Sequence, residues 1–122
     1  MRIAVYAESA EVRHSISRQT EDALLRRGIL PEMTLFPMLA ELLAEAGGSA
    51  AFDLVMVGET RGAQALKSLC RLAPVIIIGE KDEGSAAFDV GAEYFIENPV
   101  NGSELNRALT RWLSGKMKEY TI

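Results

Sequence analysis

The chain is 122 residues long, 48% hydrophobic and 25% charged, the proportions of one globular domain able to bury its own core. Its net charge is −4 and no basic run exceeds the pair Arg26–Arg27, which argues against direct binding to nucleic acid through concentrated positive charge. A single cysteine, Cys70, rules out an intrachain disulfide, and no apolar stretch approaches bilayer-spanning length. The apolar run in the opening "MRIAVYAES" is too short for the core of a signal peptide. The expectation is one cytoplasmic domain over 1–122, with no membrane partner.

In chain order, "IAVYA" (3–7) predicts the first strand. Ser9 suits an N-cap, followed by a helical stripe of Val12, Ile16, Thr20, Ala23 and Leu24 that Gly28 stops. "EMTLF" (32–36) alternates weakly, with Met33 and Leu35 on one face. Pro37 suits the first turn of a second helix, whose stripe is Leu39, Leu42, Leu43 and Ala46, ended by Gly47 and Gly48. "FDLVMV" (52–57) is the third strand, and Leu66, Leu69 and Cys70 mark a helix over 62–72. "PVIIIG" (74–79) is the fourth strand, and its unbroken apolar core suits a strand covered on both faces.

A short helix fits 85–90, ended by Gly91, and "EYFIE" (93–97) is the fifth strand. Asn101 and Glu104 form a variant capping box, before Leu105, Ala108, Leu109, Trp112 and Leu113 at helical spacing. The polar tail "SGKMKEYTI" (114–122) is expected to fray. Strands alternating with helices in this way predict an α/β fold, a flavodoxin-like (βα)5 doubly wound parallel sheet of order 2-1-3-4-5. Functional residues in such sheets follow the C-terminal strand ends, here just after residues 7, 57, 78 and 97.

Three segments, "MRIAVYAESAEVR", "FDLVMVGE" and "PVIIIGEKDEGSAAFDVGAEYFIENPVNGSELNRAL", resemble the receiver domain of bacterial two-component response regulators over about residues 1–113. "GILPEMTLFPMLAELL" is similar, more weakly, to the receivers of LytTR-type transcription regulators. The resemblance implies an aspartate at the end of strand three that accepts a phosphoryl group. It also implies an acid pair that holds Mg²⁺ with that aspartate, a hydroxyl after strand four and a lysine after strand five. This chain departs at nearly every position. The acid pair aligns with Ala7 and Glu8, the acceptor with Gly58, the hydroxyl with Gly79 and the lysine with Asn98. Pro99 is kept, and the resemblance implies a cis bond before it. The loop "GETRGAQ" and the segment from Gly79 to Gly91 are shorter than in ordinary receivers.

Other candidates have competing readings. Glu8, Glu59 and Glu80 each follow a strand, so they either form a divalent-cation site or are solvated acids around an empty pocket; the second is favoured. Gly58 and Gly79 either admit close approach to main chain or form turns needing positive φ, and the turn is favoured. Phe95 aligns with the switch aromatic of receivers but has lost its hydroxyl partner, so a structural role is expected. His14 reads as a surface helix residue, Cys70 as a packing residue, and "KDE" (81–83) as a solvated loop. Leu105 and Trp112 either line the core or form an interface on the last helix, with core favoured for Trp112.

The resulting expectation is a non-catalytic, cofactor-free signalling module that lacks the phosphoacceptor and acts by protein–protein contact. The resemblance implies a homodimer or a partner signalling protein on the last helix and strands four and five. It leaves room for an output domain after residue 122 if the chain is a piece of a longer protein. The alternative is a small-molecule or metal-ion sensor that uses the emptied pocket.

Overall fold

The computed structural model describes residues 1–48, 51–59 and 62–120, with 116–120 described for their backbone alone. Strands β1 (Arg2–Tyr6), β2 (Glu32–Phe36), β3 (Leu54–Val57), β4 (Val75–Gly79) and β5 (Tyr94–Glu97) form one sheet of order β2-β1-β3-β4-β5. Every pairing is parallel. Helices α1 (Ala10–Leu25), α2 (Leu39–Ala46), α3 (Ala63–Leu72) and α4 (Gly84–Asp89) lie in the crossovers, and α5 (Gly102–Tyr120) follows the last strand. This is the doubly wound architecture read from the sequence.

The strand period divides the core into two layers. Ile76 and Ile78 of β4 join Ile3, Val5, Ile16, Leu24, Met56, Ile96 and Leu109 under α1 and α5. Val75 and Ile77 face the other way, with Tyr6, Val57, Leu42, Leu66 and Leu69 under α2 and α3. Both sides of β4 are sealed, and that is why no polar residue interrupts it.

Local chemistry sets the helix ends. The Ser9 hydroxyl accepts from the Val12 N–H at 3.3 Å. At the other end of α1, Ile29 N–H donates to Leu24 C=O and Gly28 N–H to Leu25 C=O, with Gly28 at φ 78°. That pair of bonds is a Schellman stop, whose left-handed residue favours glycine. The Asn101 side chain accepts from the Glu104 N–H at 2.8 Å and so starts α5.

Several boundaries differ from the sequence reading. Pro37 lies before Met38, the N-cap of α2, so it leads into the helix and is not in its first turn. "KDE" is a 3-10 turn, closed by reciprocal bonds between Glu80 and Glu83, and not an open loop. The helix α4 is displaced by one residue to Gly84–Asp89. The backbone of α5 stays helical to Tyr120, through most of the polar tail expected to fray, whose last two residues lie outside the described ones. A polar segment can continue a helix already nucleated by a packed stripe, since propagation costs far less than nucleation.

Among the described residues, one buried side chain is unsatisfied. Thr20 is fully buried on α1, and its hydroxyl has no hydrogen-bond partner among the described residues. Replacing it with the isosteric valine removes that desolvation cost, so Thr20→Val is expected to stabilise the fold by about 1 kcal/mol. A chemical-denaturation midpoint that rises at constant m-value is the check.

Candidate functional site

Parallel packing brings the loops after β1, β3, β4 and β5 to one end of the sheet, where the sequence reading placed the candidate residues. At Gly58, the residue that the resemblance aligns with the acceptor, the N–H donates to Tyr6 C=O at 2.8 Å, which continues the β1–β3 ladder by one residue. Gly58 is not among the positive-φ glycines, which are Gly28, Gly62 and Gly91. The turn reading favoured for Gly58 is therefore corrected, and close approach replaces it. A Cβ placed there would lie 2.9 Å from Ile16 Cδ1, 3.1 Å from Ala7 Cβ and 3.2 Å from Val12 Cγ1. The space that a side chain at position 58 would occupy is filled by apolar groups from α1 and the end of β1.

The same contacts correct the image of an empty pocket. Ala7 is buried, at 1% exposure, and Ile16 at 3%. Glycine suits position 58 because α1 and Ala7 pack onto its backbone, and a side chain there would have to displace them. Gly79 is the last residue of β4, buried and paired with Glu97. It too is in a strand, not a turn. Its carbonyl accepts from the Asn98 N–H at 2.8 Å.

The three strand-end acids are not gathered into one cluster. A Glu59 carboxylate oxygen accepts from the Glu8 backbone N–H at 2.7 Å, which ties the loop after β3 to the loop after β1. Glu80 is diverted, since its side chain caps the 3-10 turn and its N–H donates to Glu83 Oε1 at 2.7 Å. Among the described residues, no three His, Cys, Asp or Glu side chains are grouped to hold a metal ion. Mg²⁺, implied by the resemblance, does not fit the residues present. Ala7 and Gly58 bring no oxygen ligand from their side chains, and the carbonyl of residue 7 already faces a cation of the protein's own.

That cation is Arg13, which the sequence reading missed. Its Nη1 donates to Ala7 C=O at 2.7 Å and to Glu8 C=O at 3.3 Å. The signal was faint: an arginine one turn into the first helix, in a segment read for its apolar stripe.

The remaining candidates fall into place around this end. The Asn98–Pro99 bond is cis. Asn98 and Pro99 are exposed and, with Val100, face Glu11, Val12, Ser15 and Ile16 of α1 across a groove of about 230 Å³. Phe95 is half-buried and packs against the second core layer, with ring atoms 3.4 Å and 3.5 Å from where a Gly84 Cβ would stand. His14 is exposed on α1. Cys70 is half-buried, its thiol pKa raised by burial and then by the neighbouring Glu93 charge. It packs against Gly91, where a Cβ would come within 3.3 Å of Cys70 Cβ. A raised thiol pKa keeps it protonated and poorly nucleophilic at neutral pH.

Leu105 and Trp112, named as possible interface residues, are 2% and 7% exposed and belong to the layer under α1 and α5. An interface on α5 would have to use its outward residues, such as Arg107 and Arg111, because Leu105 and Trp112 are committed to the core.

No protein-family model matches the chain, and no curated protein sequence matches it. Solved structures do. A CheY-like response regulator receiver domain from Methanospirillum hungatei superposes with a TM-score of 0.70 at 20% identity, covering 97% of each chain. The chain has the CheY-like receiver fold. A receiver domain from Clostridium thermocellum gives 0.69 at 20% identity, with 95% of this chain and 96% of that one covered. A candidate pilus assembly protein, CpaE, from Burkholderia thailandensis gives 0.76 at 20% identity, with 93% and 98% covered. Among the described residues no helix is long and apolar enough to cross a membrane.

Proposed function

We propose that this protein is a degenerate receiver, a pseudo-receiver that signals by protein–protein contact without accepting a phosphoryl group. The observation that carries this reading is the packing at Gly58. Phosphoryl transfer needs a positioned nucleophile and a neutralising cation around one vacant space. Here the nucleophile's position has no side chain and its space is filled by Ile16, Val12 and Ala7. The module is non-enzymatic on this reading, and its regulation acts through the concentration of its partner. A cytoplasmic setting with bacterial signalling proteins is part of the same proposal.

The proposed contact surface is the outward face of α4, β5 and α5, and the leading partner is a second copy of the chain. Phe88 on α4 is 55% exposed, an apolar side chain on an otherwise polar helix face. Arg111 lies over the Tyr94 ring at 6.0 Å, which joins α5 to β5 on the same surface. Light scattering over a wide concentration range is expected to show a monomer–dimer equilibrium. Phe88→Ser should weaken it by roughly tenfold, the scale of one apolar anchor, with no loss of thermal stability. A monomer at every concentration would sink the homodimer.

A second reading, a small-molecule or metal-ion sensor, would use a space beside the Gly58 position, such as the groove of about 230 Å³ between α1 and the Asn98–Val100 segment, since Gly58 itself leaves no space. A thermal-shift screen with nucleotides, anions and divalent ions separates the two readings. A ligand-specific rise in melting temperature would favour the sensor.

A further inference from the structure

Arg13 and Glu59 act on a single peptide unit. The carbonyl of Ala7 and the N–H of Glu8 belong to the same planar group, joined by the bond between those residues. The carbonyl end receives a guanidinium N–H at 2.7 Å, and the N–H end donates to a carboxylate at 2.7 Å. Each is a charge-assisted hydrogen bond, the stronger class. A cation at the oxygen and an anion at the N–H polarise the peptide in the same sense, so each bond strengthens the other.

We propose that Arg13 is a built-in cation that, with Glu59, latches the loops after β1 and β3 together and makes the strand-end site independent of divalent metal. The latch spans three elements: α1 supplies Arg13, the end of β1 supplies the peptide, and the loop after β3 supplies Glu59. Arg13 also reaches Glu8 C=O at 3.3 Å, so one guanidinium engages two successive carbonyls. Both bonds come from the one Nη1 nitrogen, whose two hydrogens serve the two carbonyls. Arg13 is a positioning residue. It holds the loop geometry through the peptide and needs no exchangeable ion. The inference deepens the reading of the chain as a receiver fold released from phosphoryl transfer, because a tethered cation cannot be loaded or removed as a signal.

The test is a double-mutant cycle on the Glu8 amide, with Arg13→Met, Glu59→Gln and the pair, read by NMR hydrogen exchange. It is run in MgCl₂ and in NaCl of matched ionic strength. Each single change is expected to speed exchange at Glu8 by about tenfold, the scale of a charge-assisted bond. The double variant should exchange more slowly than the product of the two single effects, because each bond strengthens the other. Mg²⁺ should leave the wild-type amide unchanged. Should Arg13→Met prove too unstable, Arg13→Lys gives a smaller acceleration of the same sign, and the wild-type comparison stands without any variant. Independent, additive effects of the two substitutions, or Mg²⁺-specific protection of Glu8 in the wild type, would overturn the latch. No phosphodonor is used, so the outcome is separable from that of any phosphorylation assay.

Discussion

Gly58→Asp is expected to destabilise the fold by about 3 kcal/mol, lowering the melting temperature by about 10 °C. The new Cβ would meet three carbon atoms at 2.9 to 3.2 Å. Ile16 Cδ1 is the end of a side chain and can swing, at the cost of an unfavourable rotamer. Ala7 Cβ is one bond from the backbone of β1 and cannot move without it. A carboxylate would then replace apolar contact with a charge facing Val12 and Ile16, which adds a desolvation cost. Gly58→Ala isolates the steric part and should cost about 1 kcal/mol. Adding Ile16→Val to Gly58→Ala removes the atom in the way, so the two changes should cost less together than their sum. Calorimetry on the wild type, Gly58→Asp, Gly58→Ala, Ile16→Val and the double variant gives the answer, and a Gly58→Asp variant as stable as the wild type would show that the space is open after all.

Trp112→Ala should have a similar or larger effect, about 3 to 5 kcal/mol, the range for large aromatic side chains removed from cores. Trp112 is 7% exposed and shares its layer with Leu105, Ala108 and Leu109 on α5 and with strand residues such as Ile96. Its loss leaves a cavity that neighbouring side chains cannot fill without leaving their own rotamers. The effect belongs to folding and not to association. Circular dichroism should show a midpoint lowered by more than about 10 °C, while the folded variant keeps the wild-type tendency to associate. A variant with normal stability and lost association would make Trp112 the interface anchor instead.

The strands and their order were legible because their signals are local and redundant. "VIII" needs cover on both faces, and β4 has it on both. Ser9 before an apolar stripe and Gly28 after it mark the ends of α1 through side-chain and backbone chemistry that acts within a few residues. The last turns of α5 carried no such signal, since "SGKMKEY" (114–120) is polar and has no apolar repeat to read.

The placement of the candidate residues was legible in the sequence and their packing was not. Ala7, Gly58, Gly79 and Asn98 stand at the strand ends, where the topology places function. Why glycine stands at 58 could not be read locally, because the cause is Ile16 and Val12 on a helix remote in sequence. A glycine after a strand most often marks a turn, and here it marks a contact. Arg13 was hidden for a related reason. Its partners are backbone carbonyls, which leave no trace in the residue types around it. Glu8 and Glu59 looked equivalent to Glu80 in the sequence, but only the first two meet, because Glu83 lies three residues after Glu80 and captures it in a cap.

The central claim is that the fold is kept without its phosphoryl chemistry. Intact-mass measurement after incubation with acetyl phosphate and MgCl₂ tests it most directly. The account predicts an unchanged mass under conditions that label an ordinary receiver run in parallel. A gain of one phosphoryl group on this chain would contradict it.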